Sequence, residues 1–259
     1  MLESNLWGRI PDALRSRGAT VLFGNQDALG TVRSNADQLE SALREALALS
    51  GAPQVHVVAH SKGGLDARCL AHRASAAGRI ASITTLATPH GGLRTCDRLL
   101  ELPAPALKVA AATLDGIARL GGDEHADLVG VLNDLSAPRA SVFDEAFPDV
   151  PGIAYRSYGV AQQPVRRLPN GVWAHWLIER VDGENDGLVP LRSTEREPWA
   201  VIGTAEGAPG LNHEDVIDQR RKDVPVTVSD GRRFETIVGF HLELAEELAS
   251  AEARRASGS

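Results

Sequence analysis

Apolar positions in the first half of the chain follow two alternating rhythms. Residues 6–17 and 34–49 carry apolar side chains at helical spacing, the second stretch through Leu39, Leu43, Ala46 and Leu47. Residues 19–23 (ATVLF) form a short apolar run between Gly18 and Gly24, as a buried strand would. Two more strands are predicted at residues 54–59 (QVHVVA) and 80–87 (IASITTLA), with a helix over 65–77 between them. Ser34 or Asn35 is placed to cap the 34–49 helix, and Gly51 and Pro53 to end it. Strands alternating with helices predict parallel pairing, with helices on both faces of the sheet. From about 95 to 140 the pattern is helical throughout. Leu107, Ala110, Ala111, Leu114, Ile117 and Ala118 fall on one side of the stretch 106–120. This region reads either as helices packed on the core or as a lid over an apolar site. Strand patterns return at 153–158 and 199–203, and a helix over 234–251 closes the domain. The expected architecture is one α/β domain over residues 1–251 with a mostly parallel sheet. A helical insertion at about 95–140 and an unstructured polar tail at 252–259 complete it.

Composition narrows the function classes. The 259 residues carry a formal charge of −7 with acids and bases interspersed, and no basic stripe points to nucleic acid. No apolar run is long enough for a transmembrane segment. Residues 1–15 lack the charged start and apolar stretch of a signal peptide. As given, the chain reads as cytoplasmic, and as secreted if a signal peptide lies upstream. Cys69 and Cys96 have no metal-ligand spacing and read as free thiols, with a single disulfide as the alternative. No Gly-rich phosphate loop follows a strand, so no cofactor is expected.

The chemistry concentrates on three segments. In VHVVAHSKGG a β-branched strand runs directly into Ser61 and a helix follows, the setting of a nucleophile elbow. A turn this tight requires small residues two before and two after the serine, here Ala59 and Gly63. The N–H of Lys62, at the helix start, is the candidate oxyanion donor, with its side chain expected in solvent. The second segment is ENDGLVP with Asp186, the third LNHED with His213. A serine hydroxyl needs an adjacent base, and the imidazole needs a carboxylate to fix its tautomer. The chain order Ser61, Asp186, His213 suits that arrangement.

With these segments in view, the chain resembles bacterial triacylglycerol lipases of the α/β-hydrolase superfamily. The resemblance runs through WGRIPDALRSRGATVLFGNQDALGTVRSNADQL, VHVVAHSKGGLDAR, ITTLATPHGG, ENDGLVP and NHEDVIDQRR. It implies a Ser61–His213–Asp186 triad, a lid in the helical middle, and an ester or lipid substrate with an apolar acyl chain met at a lipid–water interface. A short-chain carboxylesterase or acyltransferase with the same triad, and a truncated non-catalytic homologue, are the alternatives. Two departures stand out. No His-Gly pair precedes His90, so the chain is expected to start downstream of the strand that supplies the family's second oxyanion donor. Some relatives also hold a structural calcium near the catalytic histidine. Asp215 matches one ligand, but Arg166 and Arg167 stand where a second is expected, so an arginine is predicted to pair with Asp215 and replace the ion.

The remaining candidates carry plainer expectations. His60 is read as packing or hydrogen bonding at the elbow, Asp66 as an acid suited to the first helical turn, and His90 as a rim or structural residue. His56 is read as a sheet residue and His175 as packing between Trp173 and Trp176. His72, His125 and His241 are placed on helices without a partner pattern.

Overall fold

The computed structural model describes residues 6–160, 172–204 and 210–257. Its centre is a six-stranded sheet in the order β1 (Val55–His60), β2 (Ile80–Leu86), β3 (Ala154–Val160), β4 (Trp199–Thr204), β5 (Val226–Val228) and β6 (Arg233–Phe234). The first four strands pair in parallel, and β5 and β6 join antiparallel. Beyond β2, helices α4 (Arg94–Leu100), α5 (Ala104–Gly121), α6 (Leu128–Asp134) and α7 (Ala137–Ala146) occupy the expected helical middle.

Side chains alternate across the strands and divide the core in two. Leu86, Tyr158, Val160 and Ile202 pack under Phe240 and Leu244 of α9 (Ile237–Ser257). On the opposite face Ala59 and Ile83 meet Leu43 and Leu47 of α2 (Val32–Ser50), and Ala67 and Leu70 of α3 (Gly63–Ala71). Each large aliphatic side chain so buried contributes about 1.5–3 kcal/mol. The helix α1 (Ile10–Ser16) lies against α9, so both faces are covered as the alternating pattern predicts.

Several elements differ from expectation. Residues 19–23 form no strand, because they find no ladder partner; among the described residues β1 pairs with β2 alone. The first helix begins only at Ile10, after Gly8 turns the chain at φ +53° and with Pro11 in its first turn. The cap of α2 is Thr31, whose side chain accepts from the Ser34 N–H, rather than Ser34 or Asn35. Gly51 ends α2 at φ +66°, as read from the sequence. The tail expected from 252 onward continues α9 to Ser257, since Glu252 to Ala256 are strong helix formers. Helix α8 (Val172–Asp182) and the short strands β5 and β6 were not anticipated. Among the described residues no helix is long and apolar enough to cross a membrane.

Candidate active site

The predicted nucleophile sits at the carboxyl end of β1, where α3 begins. Ser61 adopts φ +54°, a left-handed conformation that costs a non-glycine residue about 1–2 kcal/mol. Its backbone is held there on both sides. The N–H donates to Leu86 O at 2.9 Å, and the carbonyl accepts from Gly64 N–H at 3.0 Å and Thr88 Oγ1 at 2.8 Å. Among the described residues no hydrogen bond uses the Lys62 N–H, which lies at the start of α3. The small-residue requirement falls hardest on Gly64. A Cβ there would lie 2.2 Å from Thr88 Oγ1, whereas one on Gly63 would meet only the Gln26 side-chain amide, at 3.3 Å.

Asp186 is buried in the loop after α8. Its Oδ1 accepts from the N–H groups of Leu188 at 3.0 Å and Val189 at 2.8 Å. Its Oδ2 accepts from His213 Nδ1 at 2.7 Å. With Nδ1–H committed to the carboxylate, the Nε2 of neutral His213 carries the lone pair. His213 follows β4, and its own N–H donates to Asp186 O at 2.9 Å. The neighbouring His60 ring approaches the His213 ring to 4.3 Å between centroids. Among the described residues no hydrogen bond joins the Ser61 hydroxyl to His213. Such bonds are often long in an unliganded site.

The loop bearing His213 is braced along its length. His60 Nε2 donates to His213 O at 2.9 Å, and His241 Nε2 to Val216 O at 2.9 Å. Trp7 sets its edge against both histidine rings, at 6.5 and 6.0 Å. Arg9 bonds both oxygens of Asp218, whose side chain is fully buried. Asn212 Oδ1 accepts from the N–H groups of Glu214 and Asp215.

Asp215 does receive an arginine, but it is Arg220, with Nε at 2.9 Å and Nη2 at 2.7 Å. Residues 166 and 167 lie outside the described residues. A guanidinium occupying both oxygens leaves Asp215 no face for a cation. Among the described residues no group of three His, Cys, Asp or Glu side chains could hold a metal.

The Lys62 side chain is buried rather than solvated, its Nζ 2.9 and 3.1 Å from the Asp66 oxygens. Asp66 lies in the first turn of α3 as expected, fully buried, and also accepts from Asn35 Nδ2 at 2.9 Å. Burial pushes its carboxyl up to about 6 despite the adjacent ammonium. His90 is structural: its Nδ1 accepts from Arg68 Nη1 at 3.2 Å, and its Nε2 meets Thr85 Oγ1 at 3.0 Å. Burial and the neighbouring Arg68 hold it well below the ordinary histidine range. His56 bonds Ser82 Oγ at 2.7 Å, and His72 donates to Pro148 O at 2.7 Å. His125 lies off any helix, with its N–H and ring on Asp27. The side chain of His175 lies outside the described residues. Cys69 and Cys96 are free and buried, which excludes the disulfide alternative.

No family model matches the chain. Among curated proteins, triacylglycerol lipase 2 of Saccharomyces cerevisiae is 27% identical over 266 residues, covering 96% of this chain and 74% of the relative. A triacylglycerol lipase of Pseudarthrobacter phenanthrenivorans is 29% identical over 153 residues, 55% of this chain and 47% of the relative. The Vibrio cholerae triacylglycerol lipase is 27% identical over 208 residues, 71% of this chain and 66% of the relative. The match thus spans about half the length of the Pseudarthrobacter protein and more of the other two. Among solved structures, the mature Bacillus licheniformis lipase superposes with a TM-score of 0.59 at 18% identity, over 84% of this chain and 82% of that one. Lipase 1 of Pelosinus fermentans gives 0.57 at 16% identity, over 95% and 94%. The chain has the α/β-hydrolase fold and is a homologue of proteins named triacylglycerol lipase.

Proposed function

We propose that the protein hydrolyses carboxylic esters with apolar acyl chains, triacylglycerols foremost, through an acyl-enzyme on Ser61. The observation that carries this reading is the Asp186–His213 pair, tied twice and packed against the residue that precedes a left-handed serine. The relatives named triacylglycerol lipase support the substrate class. In this mechanism His213 Nε2 takes the Ser61 proton as Oγ attacks the ester carbonyl. The Lys62 N–H donates to the oxyanion. His213 then protonates the departing alcohol and activates the water that releases the acid. Asp186 stays ionised throughout.

We read helix α5 as part of a lid. It packs chiefly against α6, and Val109 and Leu120 are 69% and 91% exposed. Eleven residues apart, the two fall within about 20° of each other around a helix and form one outward apolar stripe. Such a stripe suits contact with a lipid surface.

The test is Ser61→Ala against p-nitrophenyl esters of increasing acyl length. Hydrolysis falls to background while the circular dichroism spectrum is unchanged. Substantial turnover by the variant would overturn the assignment. Retained activity only on acetyl esters in the wild type would move the substrate class to a short-chain esterase.

A further inference from the structure

Residue 60 is joined to the elbow by a peptide bond and to the base loop by its side chain. Its ring is half-buried on the α9 side of β1, meeting the Trp7 ring edge-to-face at 6.5 Å and the His213 ring at 4.3 Å. Its Nε2–H donates to the carbonyl of His213 itself, at 2.9 Å. A single side chain thus spans from the Cα adjoining Ser61, about 3.8 Å away along the chain, to the backbone of the histidine. The His213 ring is then fixed on two sides, by the Asp186 oxygen at its Nδ1 edge and by the His60 ring on its face. The Nε2 edge is left for the reaction.

We infer that His60 is a positioning residue, a strut that sets the spacing between the Ser61 hydroxyl and the His213 imidazole. The inference rests on the hydrolase reading above and adds a residue outside its triad. Two features of the strut follow from its chemistry. The bond is a donor–carbonyl contact, so a side chain that keeps an N–H at similar reach, such as glutamine, keeps the strut. The contact lies on the far side of the ring from the reacting edge. Its loss therefore misplaces the base without altering the surface that meets the ester, so kcat falls and KM does not.

The experiment compares wild type, His60→Gln and His60→Leu. It measures the rate of Ser61 labelling by a fluorophosphonate, kcat and KM for p-nitrophenyl butyrate, and the low-field proton resonance of the His213–Asp186 bond. A base displaced by about 1 Å costs roughly 100-fold. His60→Leu is therefore expected to lose about that much in labelling rate and kcat, with KM within about twofold and the low-field resonance shifted or broadened. His60→Gln should stay within about fivefold of wild type on every measure. Labelling of folded His60→Leu at the wild-type rate would overturn the strut and leave the hydrolase reading standing. If His60→Leu does not fold, His60→Asn, whose amide is too short to reach, replaces it; equal activity of the Asn and Gln variants would overturn the strut. Wild type that neither labels nor turns over ester would sink the hydrolase reading, and the positioning role with it.

Discussion

His213 is tied to Asp186 twice, by Nδ1–H to the carboxylate at 2.7 Å and by backbone N–H to the Asp186 carbonyl at 2.9 Å. The second bond holds the loop in place whether or not the first exists. This separates tautomer control from loop placement. Asp186→Asn should leave the loop where it is, because the carbonyl is untouched, while the amide can present its N–H to Nδ1 and force the wrong tautomer. In a serine protease the matching change costs about 10⁴-fold in kcat. A loss of about 10³- to 10⁴-fold is expected here, with a melting temperature within a few degrees of wild type, read by ester hydrolysis and thermal unfolding in parallel.

Acid should destabilise the fold before it protonates most carboxylates. His241 is fully buried against Val216 O, and burial pushes it down to about 4. The unfolded chain takes up that proton near pH 6.5 and the fold does not. Stability is therefore complete above pH 6.5 and falls as pH drops toward 4, by about 3 kcal/mol from this residue. Buried His90 and half-buried His60, both held well below their ordinary range, act in the same direction. Asp66, raised to about 6, acts in the opposite sense, since the fold keeps a proton there that the unfolded chain releases. Three histidines against one carboxyl leave a net acid loss. His241→Gln retains a donor to Val216 O without a titrating ring, and should flatten the melting temperature between pH 4.5 and 6.5. An unchanged slope would contradict the assignment to His241.

Arg220 should stand in for an ion. Its guanidinium covers both oxygens of a 6% exposed carboxylate two residues beyond His213. Removing it leaves a buried charge met by the Asn212 N–H at 3.2 Å and, more weakly, by Lys222 Nζ at 3.8 Å. Arg220→Ala is expected to cost about 1–3 kcal/mol, the range between an exposed and a buried pair. That corresponds to roughly 3–10 °C in Tm for a domain of this size. Chelation of divalent cations should leave the wild-type Tm unchanged; a sharp drop on adding a chelator would refute the replacement.

How far the sequence reached depends on the range of the interactions involved. The passage from β1 through Ser61 to α3 was legible because the apolar period changes from two to about 3.6 at one point. The Asp186 and His213 segments were legible from their loop residues and chain order. Residues 19–23 misled, because an apolar run specifies a strand only when an edge is there to receive it. Thr31, rather than Ser34, caps α2 because the buried face already begins at Val32 and Ala36, ahead of the apolar positions read from Leu39 onward. The sequence reading of His60 as packing or hydrogen bonding at the elbow, and of an arginine on Asp215, agrees with the structure, but the partners that Trp7, His60 and His241 meet, and which arginine it is, left no local signal. His60 and His241 each meet a carbonyl of the His213 loop, Trp7 meets their two rings, and Arg220 meets Asp215, whereas a hydropathy pattern records only a residue type. Lys62 was misjudged although Asp66 is its i,i+4 neighbour, because the burial of the pair depends on Asn35, 31 residues from Asp66.

The apolar stripe on α5 should matter for surfaces and not for bond breaking. Val109 and Leu120 face outward and touch no catalytic side chain, so replacing both with aspartate leaves the site's hydrogen bonds intact. Each substitution exchanges an apolar side chain for a charge that favours water. Where α5 meets a lipid surface, the change removes about 1.5–3 kcal/mol of burial per residue before the cost of dehydrating the carboxylate is counted. The double variant Val109→Asp/Leu120→Asp is therefore expected to hydrolyse soluble p-nitrophenyl acetate within about twofold of wild type. On emulsified triacylglycerol it should lose at least about tenfold. Equal losses on both substrates would mean that α5 supports the site structurally. Equal retention on both would mean that the stripe does not meet the lipid.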